Sequence, residues 1–164
     1  MSVQPSNPSQ KITPFLWFDN NVEEAVNFYT SIFPNSKIIN SFRKSDNEPL
    51  HSATFEIDGL RLIAFNGGPH FKFSEAISLM VSCDTQEEID EKWEKLSAGG
   101  QESRCGWLKD KFGLSWQVAT PVLPELLNDK DPKKVQRVMQ AMFKMSKLDI
   151  AGLRKAYEQE EEEK

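Results

Sequence analysis

Cysteine is scarce in this chain: two of 164 residues, Cys83 and Cys105, neither of them in a C-x-x-C pair. That excludes a disulfide-stapled secreted scaffold, and both residues are read as reduced thiols. Histidine is equally sparse. His51 and His70 are the only two, and no Ser/His/Asp or Cys/His grouping can be assigned from their spacing. A basic excess is missing as well: 20 Lys and Arg against 25 Asp and Glu give a net charge of −5 and a pI near 5.2. A nucleic-acid binder would need a basic face to neutralise phosphates, so no nucleic-acid partner is expected. No apolar run approaches the ~20 residues of a membrane span. Residues 1–11 are polar and Pro/Ser-rich without an apolar stretch, and read as a disordered leader rather than a signal peptide. Glu158 and Glu160 to Glu163 read as a solvated, frayed helix end. A cytoplasmic protein without membrane contact is the expectation that follows.

What the chain does have is a pattern written twice. Residues 12–66 and 77–119 each open with a short strand-like run, continue through an acidic helical stretch, and end in further strand-like runs. Phe15-Leu16-Trp17 overlays Leu79-Met80-Val81, and Glu23-Glu24 overlays Glu87-Glu88, both at an offset of 64. Gly59 and Gly113, each entering a last strand, are 54 apart, so the second copy is about ten residues shorter. The predicted fold is α+β: two βαβββ modules forming a curved mixed sheet with a cleft, plus C-terminal helices. Residues 12–121 form the paired domain, and residues 122–164 a helical extension.

Within the first copy, Ile12–Phe18 reads as a strand, and Asn21 stands as a cap for a helix over Val22–Ile32. Lys37–Arg43 reads as a second strand. Leu50–Ile57 and Leu60–Asn66 flank Asp58-Gly59, a strong hairpin signal. A Gly/Pro loop from Asn66 to Phe73 links the copies. In the second copy Ile77–Ser82 is a strand, and Thr85 with Glu88 forms a capping box for a helix to about Leu96. Gln101–Leu108 supplies one or two short strands, and Leu114–Ala119 the last. Helical periodicity covers Leu123–Leu127, Lys133–Met145 and Asp149–Glu160. In the second of these Val135, Val138, Met139, Met142 and Phe143 make an apolar stripe, which packs internally or against a second subunit.

Strand alternation assigns faces. A two-residue turn at Asp58-Gly59 pairs Ile57 with Leu60, Phe55 with Leu62 and Glu56 with Arg61. One face of each module is large and apolar and carries the helices. The other is mixed, with Glu56, Arg61, Ile63, Phe65, Ser78, Met80, Ser115 and Gln117. Such a face, an apolar wall with a few orienting polar groups, suits a small-molecule pocket. Phe65, Met80 and Trp107 are the candidate wall. Arg61, Gln117 and His70 are the candidate orienting groups, with Glu56 facing Arg61.

These residues resemble a known family. The two βαβββ copies, Phe28-Tyr29 on the first helix, and Gly113 four residues before Gln117 are similar to the vicinal oxygen chelate superfamily. It holds glyoxalase I, extradiol dioxygenases and the bleomycin and fosfomycin resistance proteins. Pro14-Phe15-Leu16-Trp17-Phe18, the segment from Asn66 to Phe71 and the segment from Cys105 to Asp110 resemble its PhnB-like branch, often labelled 3-demethylubiquinone-9 3-methyltransferase. In that superfamily a metal takes ligands, usually His and Glu, from the first and last strands of each copy. The matching positions here are Pro14, Ile63, Ser78 and Gln117. Pro and Ile have no donor side chain, Ser is a poor ligand and Gln offers one neutral carbonyl, so no metal and no cofactor are expected. The methyltransferase label implies S-adenosylmethionine, yet the only Gly-rich candidate, Gly67-Gly68, runs into Pro69 rather than a helix. The expected function is therefore metal-free small-molecule binding by a homodimer. The alternative is a metal-independent enzyme of the same fold, a methyltransferase or lyase, using His70, Glu56 or Gln117.

Overall fold

The computed structural model describes residues 10–159. The predicted leader is therefore described only from Gln10 onward, and the acidic run beyond Gln159 lies outside the described residues. Two compact units divide the chain, the first ending at Phe73 and the second beginning at Ser74. The boundary falls at the end of the Gly/Pro linker, between the two copies. No helix among the described residues is long and apolar enough to cross a membrane.

The first unit runs β1 (Phe15–Phe18), α1 (Val22–Ile32), β2 (Ser36–Phe42), β3 (Ser52–Ile57) and β4 (Leu60–Asn66). Its sheet has the order β1-β4-β3-β2. β1 is parallel to β4, and the other two pairings are antiparallel. The β3–β4 hairpin turns as its sequence demands: Asp58 and Gly59 take φ of 46° and 82°, the left-handed conformation of a tight two-residue turn. Its register is the expected one, pairing Ile57 with Leu60, Phe55 with Leu62 and Glu56 with Arg61. Val22, Ala25, Val26 and Tyr29 on α1 are buried along with Phe55, Leu62 and Ala64 on the strands, which makes the apolar face of this module. The edge strand β2 is broken by a register shift between Ile38 and Asn40.

Asn21 occupies the N-cap of α1 but makes no side-chain capping bond, contrary to its reading as the cap. Asn66, 44 positions beyond Val22, does that work instead: its Oδ1 accepts from the Val22 N–H at 3.1 Å while its amide donates to the Leu50 carbonyl at 3.0 Å. A long-range cap of this kind leaves no local signature.

The second unit runs β5 (Ser78–Ser82), α2 (Gln86–Ser97), β6 (Gln101–Glu102), β7 (Trp107–Lys109) and β8 (Ser115–Ala119), then α3 (Val122–Leu127), α4 (Pro132–Phe143) and α5 (Ile150–Glu158). Its sheet order, β5-β8-β7-β6, repeats that of the first unit. The α2 capping box forms from both sides. Thr85 Oγ1 accepts from the Glu88 N–H at 3.2 Å, and Glu88 Oε2 accepts from the Asp84 N–H at 2.7 Å, one residue earlier than in the standard box. The stretch predicted as one or two strands is two. β6 and β7 are separated by Cys105 and Gly106, both at positive φ, whose N–H groups donate to the Met145 and Ser146 carbonyls at 2.9 and 2.8 Å. Asp110 shapes the β7–β8 turn: one carboxylate oxygen accepts from the Phe112 and Leu114 N–H groups, and the other accepts from Trp116 Nε1 at 2.9 Å.

The last three helices form their own apolar cluster around Val122, Leu126, Val138 and Leu153, with Met142 and Tyr157 packed against it. That cluster takes up Val138 and Met142 from the α4 stripe. Met139 and Phe143 stay 38% and 53% exposed.

Candidate functional site

In the first unit the mixed face carries the expected residues. β1 contributes Phe15 and Trp17, and β4 contributes Ile63 and Phe65 beside them in register. The Phe65 ring meets Phe15 and Trp17 edge-on at 5.1 and 4.8 Å, and Phe71 from the linker meets Trp17 at 4.9 Å. The Trp17 indole N–H donates to the Gly68 carbonyl at 2.8 Å, and Gly67 lies so close beneath the ring that a Cβ there would sit 2.3 Å from Trp17 Cε2. Gly67 is glycine because the indole occupies its side-chain space. Arg61 faces Glu56 as predicted and is only 6% exposed. Gln10 reads the Arg61 backbone like an extra strand: its amide donates to the Arg61 carbonyl at 2.9 Å and its carbonyl accepts from the Arg61 N–H at 3.1 Å. His70 lies exposed in the linker.

In the second unit the mixed face is ordered in two rows. Gln101, Lys109, Ser115 and Ser78 stand side by side across β6, β7, β8 and β5, and Trp107, Gln117 and Met80 form the row beside them. Gln117 Nε2 donates to Ser78 Oγ at 3.0 Å. Met80 is exposed and Trp107 half-buried. At the β6 edge a cavity of about 390 Å³ is lined by Trp107, Lys109, Ser115, Gln101, Glu102 and Glu75, among others. Ser115 is 1% exposed, and its Oγ has no hydrogen-bond partner among the described residues. Lys109 Nζ forms an ion pair with Glu75. The hydrogen bond from Lys109 holds the Glu75 carboxyl below the usual carboxylate range. Glu102 is engaged elsewhere, accepting from Trp93 Nε1 at 3.0 Å.

Of the seven predicted site residues, four belong to the first unit (Glu56, Arg61, Phe65, His70) and three to the second (Met80, Trp107, Gln117). Each set shares one sheet face except His70, which is on the linker. Lys109, Ser115 and Glu75 were outside the predicted set. Ser115 was placed on the right face. Lys109 lay one residue beyond the predicted strand stretch ending at Leu108, although its two-residue spacing from Trp107 puts both on one side of β7. Nothing in the sequence marks Glu75.

The internal repeat is offset by one more residue in the first strands than the sequence overlay gives. Ile63 and Gln117 are 54 apart, and their ladder neighbours are Phe15 and Met80, which are 65 apart. Trp17 lies on the mixed face, whereas Val81 sits beside the fully buried Val118 on the other. A one-residue slip exchanges faces, so Trp17 and Val81 are not counterparts. The first-copy counterpart of Ser78 is then Thr13 rather than Pro14, again a hydroxyl and not a metal-binding imidazole or carboxylate.

The sequence profile described as 3-demethylubiquinone-9 3-methyltransferase matches residues 10–119. The chain belongs to that family. A solved member from Bacillus cereus, a putative 3-demethylubiquinone-9 3-methyltransferase called PhnB protein, is 38% identical, with a TM-score of 0.63. The match covers 68% of this chain and 99% of that one. This is the PhnB-like branch of the vicinal oxygen chelate superfamily that the motifs resemble. Protein PA1353 from Pseudomonas aeruginosa is 21% identical over 68% of this chain and 98% of its own, with a TM-score of 0.56, and shares the fold. The fosfomycin resistance protein FosX from Listeria monocytogenes shares it too, at 19% identity over 71% of this chain and 97% of its own, with a TM-score of 0.51. No curated protein matches the chain. α4 and α5 of this PhnB-like protein lie beyond the segment matched by the family profile.

Proposed function

We propose that this PhnB-like protein binds a small organic molecule on the mixed face of its second module without the superfamily's metal. One observation carries the reading: a cavity of about 390 Å³ whose lining includes the buried Ser115, with an Oγ that finds no hydrogen-bond partner among the described residues. Unsatisfied buried hydroxyls are uncommon, and one lining a cavity with Trp107 for an apolar wall is what an orienting group for a ligand requires. The metal positions support the metal-free part. Thr13, Ile63 and Ser78 offer no strong donor, and the Gln117 amide is engaged with Ser78.

The family's methyltransferase description finds less support in this chain. Both sheets are small and mixed, not the doubly wound parallel sheet that usually carries a nucleotide-like cofactor. The Gly67 and Gly68 N–H groups donate to the Phe18 and Asp19 carbonyls at 2.8 and 3.1 Å, so neither is available to a cofactor's anionic group. We further propose a cytoplasmic homodimer, in which the Met139 and Phe143 side chains of α4 meet a second copy.

Amide-resolved NMR titration with a metabolite library tests the binding reading. Shifts concentrated on Trp107, Lys109, Ser115 and Gln117 are expected. Binding that perturbs only residues away from this face would overturn it. Elemental analysis of the purified protein should find no stoichiometric Zn, Ni, Mn or Fe, and one metal per chain would refute the metal-free reading.

A further inference from the structure

The geometry points to a carboxylate as the ligand group of this cavity, with Glu75 holding its place when no ligand is bound. This inference rests on the binding role proposed above. Lys109, Ser115 and Ser78 are neighbours in register across β7, β8 and β5, and Glu75 lies three residues before Ser78. Lys109 and Glu75 form an ion pair, and both line the cavity together with Ser115. Directly opposed residues on one face stand ~4.5–5.5 Å apart at Cβ, so a carboxylate accepting from Lys109 Nζ is within reach of the Ser115 hydroxyl.

Three features select the chemistry. Lys109 is the one cation among the described residues lining the cavity, and the nearby Glu102 carboxylate accepts from Trp93. A ligand anion that takes the place of Glu75 therefore keeps Lys109 paired. Ser115 Oγ–H, buried and without a partner among the described residues, is a donor for the second carboxylate oxygen. Trp107, two residues from Lys109 on the same face, offers an indole surface to a flat apolar group attached to that carboxylate. Glu75 satisfies Lys109 but has a side chain 64% exposed, so the pair is weakly held and a better-placed carboxylate displaces it. The ligand class is an aromatic or otherwise planar monocarboxylate.

Calorimetric titration of the full chain with 2-naphthoate and with its uncharged counterpart 2-naphthamide tests this. Naphthoate should bind about tenfold or more tightly than naphthamide, the difference of one charge-assisted contact. Glu75→Gln removes the competitor and should tighten naphthoate by about threefold or more, with naphthamide unchanged. Lys109→Met should abolish the preference for the acid, and Ser115→Ala should weaken naphthoate several-fold. Equal affinity for the two probes, no gain in Glu75→Gln, or no binding of either at about 5 mM overturns the carboxylate assignment. A neutral probe that still shifts the Trp107 and Ser115 resonances leaves the binding role standing without it.

Discussion

Asp110 shows how much one side chain can hold. It is 2% exposed, and its two oxygens take the Phe112 and Leu114 N–H groups and the Trp116 indole, tying the β7–β8 turn to the apolar face of the second module. Asp110→Ala strands these donors and should cost ~2–4 kcal/mol in urea denaturation, with Trp116 fluorescence reporting the loss. Cys83 gives a second residue-level expectation. Burial pushes its thiol up to about 11, with the Glu88 charge adding to the effect. The thiol form prevails near neutrality, so iodoacetamide at about pH 8 should leave Cys83 unmodified until the protein is denatured. Gly67→Ala drives a methyl into the Trp17 ring and should destabilise by ~1–3 kcal/mol. The local chemistry at Asp58-Gly59 and Thr85-Glu88 was legible in the sequence because the interacting groups are four or fewer residues apart. The cap supplied by Asn66 and the ion pair supplied by Glu75 were not, because each joins segments that only the tertiary fold brings together.

At the level of elements, alternation was the dependable signal. It identified the mixed and apolar faces of β3, β4, β5 and β8, and so found Ser115 and Gln117 on one side of the sheet. It could not set the register between the first and last strands of each copy. Those pair in parallel through a helical crossover, and no tight turn fixes their alignment as Asp58-Gly59 fixes β3 with β4. That is why the overlay slipped by one residue at Trp17 and Val81. Helix α4 carries the element-level prediction. Its partners on α3 and α5 take Val138 and Met142, while Met139 and Phe143 stay exposed, the surface of the proposed dimer. Light scattering at about 10 µM should give a dimer mass, and Met139→Glu with Phe143→Glu should give a monomer with unchanged helical content. A monomer mass for the unaltered chain would refute the dimer.

For the whole molecule, acid is the condition that separates folded from unfolded chains most simply. Glu23, Glu75, Asp90 and Glu91 each have a carboxyl held below its ordinary range by a side-chain hydrogen bond, from Arg43, Lys109, Lys147 and Lys95 respectively. A depressed folded pKa means that the unfolded chain takes up the proton first. The stability from these pairs is complete above the ordinary carboxylate values, and is lost as pH falls through the folded ones. Melting temperature should stay level from about pH 7 to 5 and decline below about pH 4, by little per pair because all are at least partly exposed. The broken edge strand β2 has a consequence of a different kind. Seven residues long, with Ile38 and Phe42 exposed, it would be an open template for strand addition by other copies if it ran straight. The irregularity between Ile38 and Asn40 denies a newcomer a continuous row of backbone donors and acceptors. Deleting Ile39 would straighten that border, and the product expected is fibrillar aggregate rather than a misfolded monomer, detectable by thioflavin fluorescence on prolonged incubation.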